Sequence, residues 1–337
     1  PDETAGAAEK SGMRAVIART CYDLKEALAG KSLPKDESKF WETTEQAIER
    51  AEKTYEKWNG ACAGRIKGSY ELRVPYFCTD ELCRGIKEAA DRHGALIQSH
   101  AAMDDFTTQA SLVRWGAREV ERLNKLAVLG PNVLLIHMTH VTPSEVLMLK
   151  EHDVKVAACP SASLHDAYGA FSCGAFPEMA ALGITVCLGS DGAPSSNFLD
   201  MVRQMYLMAG GPKDAAVDAA AMLPETVVEM ATINGAKAAL WDNEIGSIEA
   251  GKKADITIFD MNKPEWRPVV NPVSNLVYSA NGSSADTVIV DGRILMEGRK
   301  VKTLDEERIL KEIQEASSKI VERAGLTDAV RSRWPIE

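Results

Sequence analysis

Residues 133–191 read VLLIHMTHVTPSEVLMLKEHDVKVAACPSASLHDAYGAFSCGAFPEMAALGITVCLGSD. Three short runs within it, Val133–Met138, Val154–Cys159 and Thr185–Ser190, are almost continuously apolar and rich in β-branched residues. An alternating pattern would mean one wet face. A continuous one means burial on both faces, as in a parallel sheet covered by helices. Between the first two runs, Thr142-Pro143-Ser144-Glu145 has the form of a capping box with proline at the first helical position, which predicts a helix to about His152. A strand, a helix and a further strand of this kind specify a right-handed βαβ crossover.

The same pattern extends toward the N-terminus. Arg14–Thr20 and Ala95–His100 are further buried-strand runs, and Gly64–Leu72 is a weaker one. Trp41, Thr44, Ile48, Ala51, Tyr55 and Trp58 recur at helical steps on one face. Asp80–Arg92 predicts a second helix, and Asp105–Val128 a third that Gly116 interrupts. The expected class is α/β, with six strands where a closed (β/α)₈ barrel has eight. Beyond Asp191 the texture changes. Asn197–Ala209 and Pro224–Trp241 predict helices, Ile245–Asp260 a turn-rich approach to a strand, and Asp286–Arg299 a hairpin turning at Asp291-Gly292. Thr303 and Glu306 have the spacing to cap a last helix that ends near Gly325.

Composition narrows the function classes. Lys and Arg total 39 against 49 Asp and Glu, a net charge of −10, with no basic cluster. That argues against a nucleic acid or an anionic membrane as partner. No apolar run approaches the ~18–20 residues of a membrane span. The seven cysteines are odd in number and form no CxxC, so a disulfide scaffold and a zinc ribbon are both poor readings, and a reducing cytoplasm is expected.

Active sites of parallel α/β barrels lie at the C-terminal ends of the strands. Three chemically capable residues fall there. His100 closes one run, His137 sits at the end of another, and Asp191 follows a third. Imidazole and carboxylate are ligands that Zn²⁺ or Fe²⁺ takes, and such a site holds water in an open position. A single histidine at a strand end is more often structural. Three coincident candidates favour a site. His93 and His152 lie near helix C-termini and read as structural. His165, on a loop after Val154–Cys159, could reach a substrate. His137 and His140 form HxxH on a strand end, where the side chains need not share a face. Met201, Met205 and Met208 read as a core stripe. Gly189-Ser190-Asp191-Gly192 lacks the spacing of a phosphate loop, and Cys159 has no distinct base to make it a nucleophile.

Several stretches together resemble the amidohydrolase superfamily, in the branch of guanine deaminase, S-adenosylhomocysteine deaminase and the triazine hydrolases. They are LIQSH (96–100), LLIHMTHVTPSEVLMLKEHDVKVAACPSAS (134–163), FPEMAALGITVCLGSDGAPSSNFLDM (176–201), MATINGAKAALW (230–241), IGSIEAGKKADITIFD (245–260) and DTVIVDGRILMEG (286–298). The resemblance implies a (β/α)₈ TIM-like metal-dependent hydrolase barrel over 1–244, N-terminally incomplete. A small β-sandwich module over 245–300 and a C-terminal helix and tail over 301–337 would follow. It implies His100 as metal ligand, Asp191 as metal ligand and general base, His137 as the residue that polarises the substrate, and His140 behind it. Ser163, His165 and Met103 would face the substrate.

Three departures from the family pattern stand out. The first-strand His-x-His that supplies two ligands is absent, along with the first two barrel strands, and we expect the chain to be a piece of a longer protein. Met103 occupies the place where the deaminases carry a glutamate proton shuttle. Cys159-Pro160-Ser161-Ala162-Ser163 replaces the family's CPxSN. The expected activity is hydrolysis of a C–N bond, or release of another leaving group such as chloride, on an N-heterocyclic small molecule. Metal-bound hydroxide would attack and Asp191 would serve as base. One divalent metal is expected, zinc with iron as the alternative, in a cytoplasmic homo-oligomer. The competing expectation is a degenerate, non-catalytic homologue that serves as a scaffold or oligomer subunit.

Overall fold

The computed structural model describes residues 1–24 and 41–330. The last part of the expected tail, 331–337, lies outside the described residues. Six parallel strands form one sheet in sequence order: β1 (Ala15–Cys21), β2 (Ile66–Leu72), β3 (Ile97–Ala101), β4 (Val133–His137), β5 (Lys155–Ala158) and β6 (Val186–Leu188). Among the described residues β1 and β6 are the sheet's two edges. Each expected strand run overlaps a strand, with ends that differ by one or two residues; β1 and β3 each run one residue past the expected end.

Helices cover one face. They include α1 (Asp2–Ser11), α2 (Thr44–Trp58), α3 (Asp80–His93), α4 (Asp105–Trp115), α5 (Glu119–Lys125) and α6 (Pro143–Glu151). The main core lies under them, where Ile97, Val133 and Leu135 of the strands meet Leu82, Ile86, Leu123 and Leu149 of the helices, all essentially buried. The local signals act as their chemistry predicts. Thr142 accepts from the Glu145 amide and the Glu145 carboxylate accepts from the Thr142 amide, closing a reciprocal box. Gly116, at φ +65°, ends α4 in a left-handed cap that a side chain would disfavour. Trp41 departs from its expected place. Thr43 caps α2, so Trp41 precedes the helix and its indole donates to the Asp23 carbonyl.

Six further helices follow: α7 (Pro160–Asp166), α8 (Phe176–Ala181), α9 (Ala193–Ser196), α10 (Met201–Ala216), α11 (Pro224–Ala231) and α12 (Ile233–Ala238). The helix expected from Asn197 begins at Met201 instead, because the Asp200 carboxylate accepts the amides of Val202 and Arg203. The stretch Pro224–Trp241 is two helices, broken at Thr232 with ψ −97°. The opposite face of the sheet is lined more thinly, by Ala157, Cys187 and Ala238 with Leu134 and Ile136 beside them.

A four-stranded antiparallel sheet follows: β7 (Ile256–Phe259), β8 (Ala285–Val290), β9 (Arg293–Glu297) and β10 (Lys300–Val301). Asp291 and Gly292 have φ +51° and +76°, as a type I′ turn requires. The N-terminal part of the chain meets this sheet. Arg14 forks onto the two oxygens of Asp255 at 2.7 and 2.9 Å, and Gly12 packs so closely on Leu295 that a Cβ there would lie 2.7 Å from Cδ2. Thr303 does not cap the last helix. Its hydroxyl donates to the Ser11 carbonyl, and Asp305 caps Glu306–Arg323 in its place.

Candidate active site

The C-terminal ends of β3, β4 and β6 bring three of the expected residues together. His100 shares the inner face of β3 with Gln98, opposite the core residues Ile97 and Ala101. Its Nδ1 lies 3.0 Å from the carbonyl of Arg73, just beyond β2. A carbonyl only accepts, so Nδ1 carries the proton and Nε2 keeps its lone pair. His137 ends β4 and is 2% exposed. Strict alternation would place it with Leu135 on the helix-covered side. Its φ of +77° breaks the alternation, and its ring sits 5.4 Å from that of His100. Burial, with His100 beside it, lowers the His137 pKa to about 4 against the opposing pull of Asp191, so its imidazole is neutral. Asp191, at φ +61°, places Oδ2 3.9 Å from His137 Nε2, while its Oδ1 accepts from the Gly192 amide at 2.5 Å.

The other expected residues surround this group unevenly. His140 donates from Nε2 to the Tyr168 carbonyl at 2.8 Å. The Tyr168 ring stands edge-on to His137 at 5.4 Å, and its hydroxyl donates to Asp166. Asp166 also accepts from Nδ1 of His165 at 2.8 Å. His165 is therefore on α7 and not on a loop, because Pro160 starts a helix directly after β5. Ser163 is buried, and its hydroxyl accepts the Ala170 amide at 2.8 Å. Met103 lies in the turn between β3 and α4. Beside it, Asp104 is occupied as the cap of α4, accepting from the Thr107 amide and hydroxyl. Cys159 is buried, with its pKa raised by desolvation, which leaves it an unreactive thiol.

Residues that sequence reasoning passed over support the strand ends from behind. The Ala102 amide donates to Glu119 Oε2 at 2.6 Å, and the Ala102 carbonyl accepts from the amides of Thr139 and His140. Arg118 bridges Glu145 and the His140 carbonyl. Burial raises the Glu119 pKa to about 7, with the Ala102 amide working in the opposite direction. In the sequence, Arg118-Glu119-Val120-Glu121-Arg122 reads as a solvated helix face. Nothing local shows that Glu119 is 1% exposed.

The donors fit a divalent cation in kind. His100 has a fixed lone pair and Asp191 a carboxylate at the same strand ends. They fall short in number, since among the described residues no three His, Cys, Asp or Glu side chains are grouped to hold an ion. No helix among those residues is long and apolar enough to cross a membrane.

Comparisons with known proteins agree with this architecture. The amidohydrolase family profile matches residues 2–295. A 5-methylthioadenosine/S-adenosylhomocysteine deaminase of Caldanaerobacter subterraneus subsp. tengcongensis is 33% identical over 320 residues, which cover 95% of this chain and 70% of that protein. A 5′-deoxyadenosine deaminase of Methanosarcina mazei is 34% identical over 322 residues, covering 96% and 70%. A zinc-bound adenosine deaminase from Xanthomonas campestris superposes with a TM-score of 0.86 at 24% identity, covering 95% of this chain and 69% of that one. Atrazine chlorohydrolase from Arthrobacter aurescens, complexed with zinc, superposes at 0.84 with 20% identity, covering 93% and 68%. At those identities the superpositions establish the fold, of which β1–β6 and their helices are the barrel part. The chain belongs to the amidohydrolase family, and its 33–34% identical relatives in that family are named as deaminases.

Proposed function

We propose that the protein is a metal-dependent hydrolase that removes an amino group from an adenosine-like N-heterocycle. The observation that carries this reading is the convergence of His100, His137 and Asp191 at three strand ends. The adenosine-type substrates in the names of the 33–34% identical relatives support it. In the reaction the oxygen of water bonds to the ring carbon, the C–N bond breaks, and ammonia leaves. Asp191 accepts a proton from the water and delivers it to the leaving nitrogen. His137, neutral and desolvated, donates a hydrogen bond to the charge that develops on the substrate. His100 and Asp191 would hold a divalent metal, zinc or iron, which when bound lowers the pKa of water. Tight binding would take one or two donors more than this pair. His140 orients the loop behind His137, while Ser163, His165 and Met103 border the substrate. The parts 1–244, 245–300 and 301–337 act as barrel, β-module and C-terminal helix with its tail.

Met103 favours a second reading. A thioether carries no proton to a ring nitrogen, so a leaving group that departs without that proton, such as chloride, suits the site as well. One screen separates these readings. Metal content is measured on the purified chain, and ammonia and chloride release are followed on aminated and chlorinated N-heterocycles. Ammonia release with bound metal supports deamination, and chloride release alone supports the second reading. A protein that binds no metal and releases neither product overturns both and favours a scaffold.

A further inference from the structure

The last helix, Glu306–Arg323, has 18 residues, and none of them is buried. At the rise of an α-helix it runs for about 27 Å. Its exposure conflicts with its sequence. Ile309, Ile313, Ala316 and Ile320 recur at alternating steps of four and three, the spacing that lines one seam of a helix. Ile313 and Ile320 are 63% and 61% exposed, and Leu310 on the border of the seam is 61% exposed. In proteins most of a helix's stability comes from packing such a face, so this seam calls for a cover.

The charges around the seam say which cover fits. One more step of the same spacing at each end reaches Glu306 and Arg323, the first and last residues of the helix. Glu312 and Lys319 lie along one border, a heptad apart. Consider a second copy laid antiparallel, with a two-fold axis between Gln314 and Glu315, the middle of the helix. Ile309 then layers on Ile320 of the second copy, and Ile313 on its Ala316. The end layers place Glu306 against Arg323. The same register brings Glu312 opposite Lys319 on the border. Two-fold symmetry makes every one of these pairings twice.

The parallel alternative fails on charge. It would set Glu306 against Glu306 and Arg323 against Arg323, and would separate Glu312 from Lys319. It would also crowd both β-modules at one end of the pair, whereas the antiparallel arrangement puts them at opposite ends and opposes the helix dipoles. Within the helix, Arg308 Nη1 donates to Glu312 Oε1 at 2.8 Å, which leaves the second carboxylate oxygen for the lysine across the seam. An unrelated partner would not require the helix to be complementary to itself about its own centre.

We propose that Glu306–Arg323 is a self-association surface, at which two copies of this chain pair as an antiparallel two-stranded seam. Ile309, Ile313, Ala316 and Ile320 form its apolar layers. The pairs Glu306–Arg323 and Glu312–Lys319 fix its direction and register.

The test is sedimentation equilibrium on the full chain from about 1 to about 100 µM, where a monomer–dimer equilibrium is expected. Ile313→Glu combined with Ile320→Glu should weaken the dimer at least roughly 100-fold, with the near-ultraviolet circular dichroism of the body unchanged. Charge reversal tests the register with the apolar layers intact. Glu312→Lys should weaken the dimer roughly 5- to 30-fold, through two like-charge contacts. Adding Lys319→Glu should restore it to within about threefold. A chain that stays monomeric at the highest concentration overturns the proposal and leaves the seam to another occupant. A dimer that the paired isoleucine substitutions do not weaken places the interface elsewhere and also overturns it. A Glu312→Lys dimer that is unweakened, or that Lys319→Glu does not rescue, overturns the antiparallel register.

Discussion

The two sheets treat the left-handed region of backbone space differently. In the antiparallel sheet, positive φ falls at Asp291-Gly292 and Gly298-Arg299, in hairpin turns whose geometry calls for it. At the ends of the parallel strands it falls on Ala102, His137, Met138 and Asp191, none of them glycine. Such conformations cost on the order of 1–3 kcal/mol each and persist only where the surroundings enforce them. At these strand ends the enforcing groups are visible: Glu119 on the Ala102 amide, the Ala102 carbonyl under two amides, and Gly192 on Asp191. One sheet uses positive φ to reverse the chain. The other uses it to aim side chains.

The largest expected effect breaks the chemistry without touching the fold. Asparagine is among the residues that tolerate φ near +60°, so Asp191→Asn keeps the backbone that aims the side chain. It removes the proton acceptor, and turnover should fall at least roughly 1000-fold, within the range that general-base catalysis contributes. Thermal midpoint and product release on the same preparation check this. Undiminished turnover would remove Asp191 from the role of base, and a collapsed midpoint would show that the site and the fold are not separable there.

A smaller effect comes from Glu119, which supports the aimed strand end. Its folded-state pKa is raised to about 7 from an ordinary 4.5, first by burial and then by Asp104 and Glu145, against Arg118. The folded state therefore holds a proton that the unfolded chain loses at lower pH. Stability is full below about pH 4.5 and is lost as pH rises toward 7, by up to roughly 3 kcal/mol from this group. Glu119→Gln retains an oxygen for the Ala102 amide and does not titrate. Denaturant unfolding at pH 5 and pH 8 should show a pH dependence smaller than that of the unaltered chain by about that amount. An unchanged slope would mean that Glu119 titrates normally.

These same regions show what a sequence can reveal. The strands of the parallel sheet were legible because burial on both faces leaves a continuous apolar run. The Thr142 box, the Gly116 stop and the Asp291-Gly292 turn were legible because each is a contract among neighbouring residues. Strand-end placement also anticipated that His100, His137 and Asp191 would lie close together. What escaped depends on distant partners. Thr303 looked like a helix cap but bonds to Ser11, brought near by the whole fold. Trp41 followed the helical period yet lies before the cap, its indole held by Asp23. Glu119, Arg118 and Tyr168 gave no signal, since a charged helix start and a loop tyrosine look alike whether they face water or a buried site.

The smallest expected effect tests the inexpensive side of the comparison. Gly292 has φ +76° and nothing within 4 Å of the place where a Cβ would stand, so a substitution there meets no clash. What remains is the conformational penalty of an L-residue in left-handed space, about 1 kcal/mol. Gly292→Ala should lower stability by that amount and leave turnover unchanged, because the turn lies on the antiparallel sheet and strains no strand end that carries His100, His137 or Asp191. Unfolding free energy and kcat measured together decide the matter. A loss of turnover larger than the loss of folded protein would mean that the β-module reaches the reaction centre. The path for such coupling is already present in the structure. The Asp291 amide donates to Asp255, Asp255 holds Arg14, and Arg14 immediately precedes β1, the edge strand of the parallel sheet.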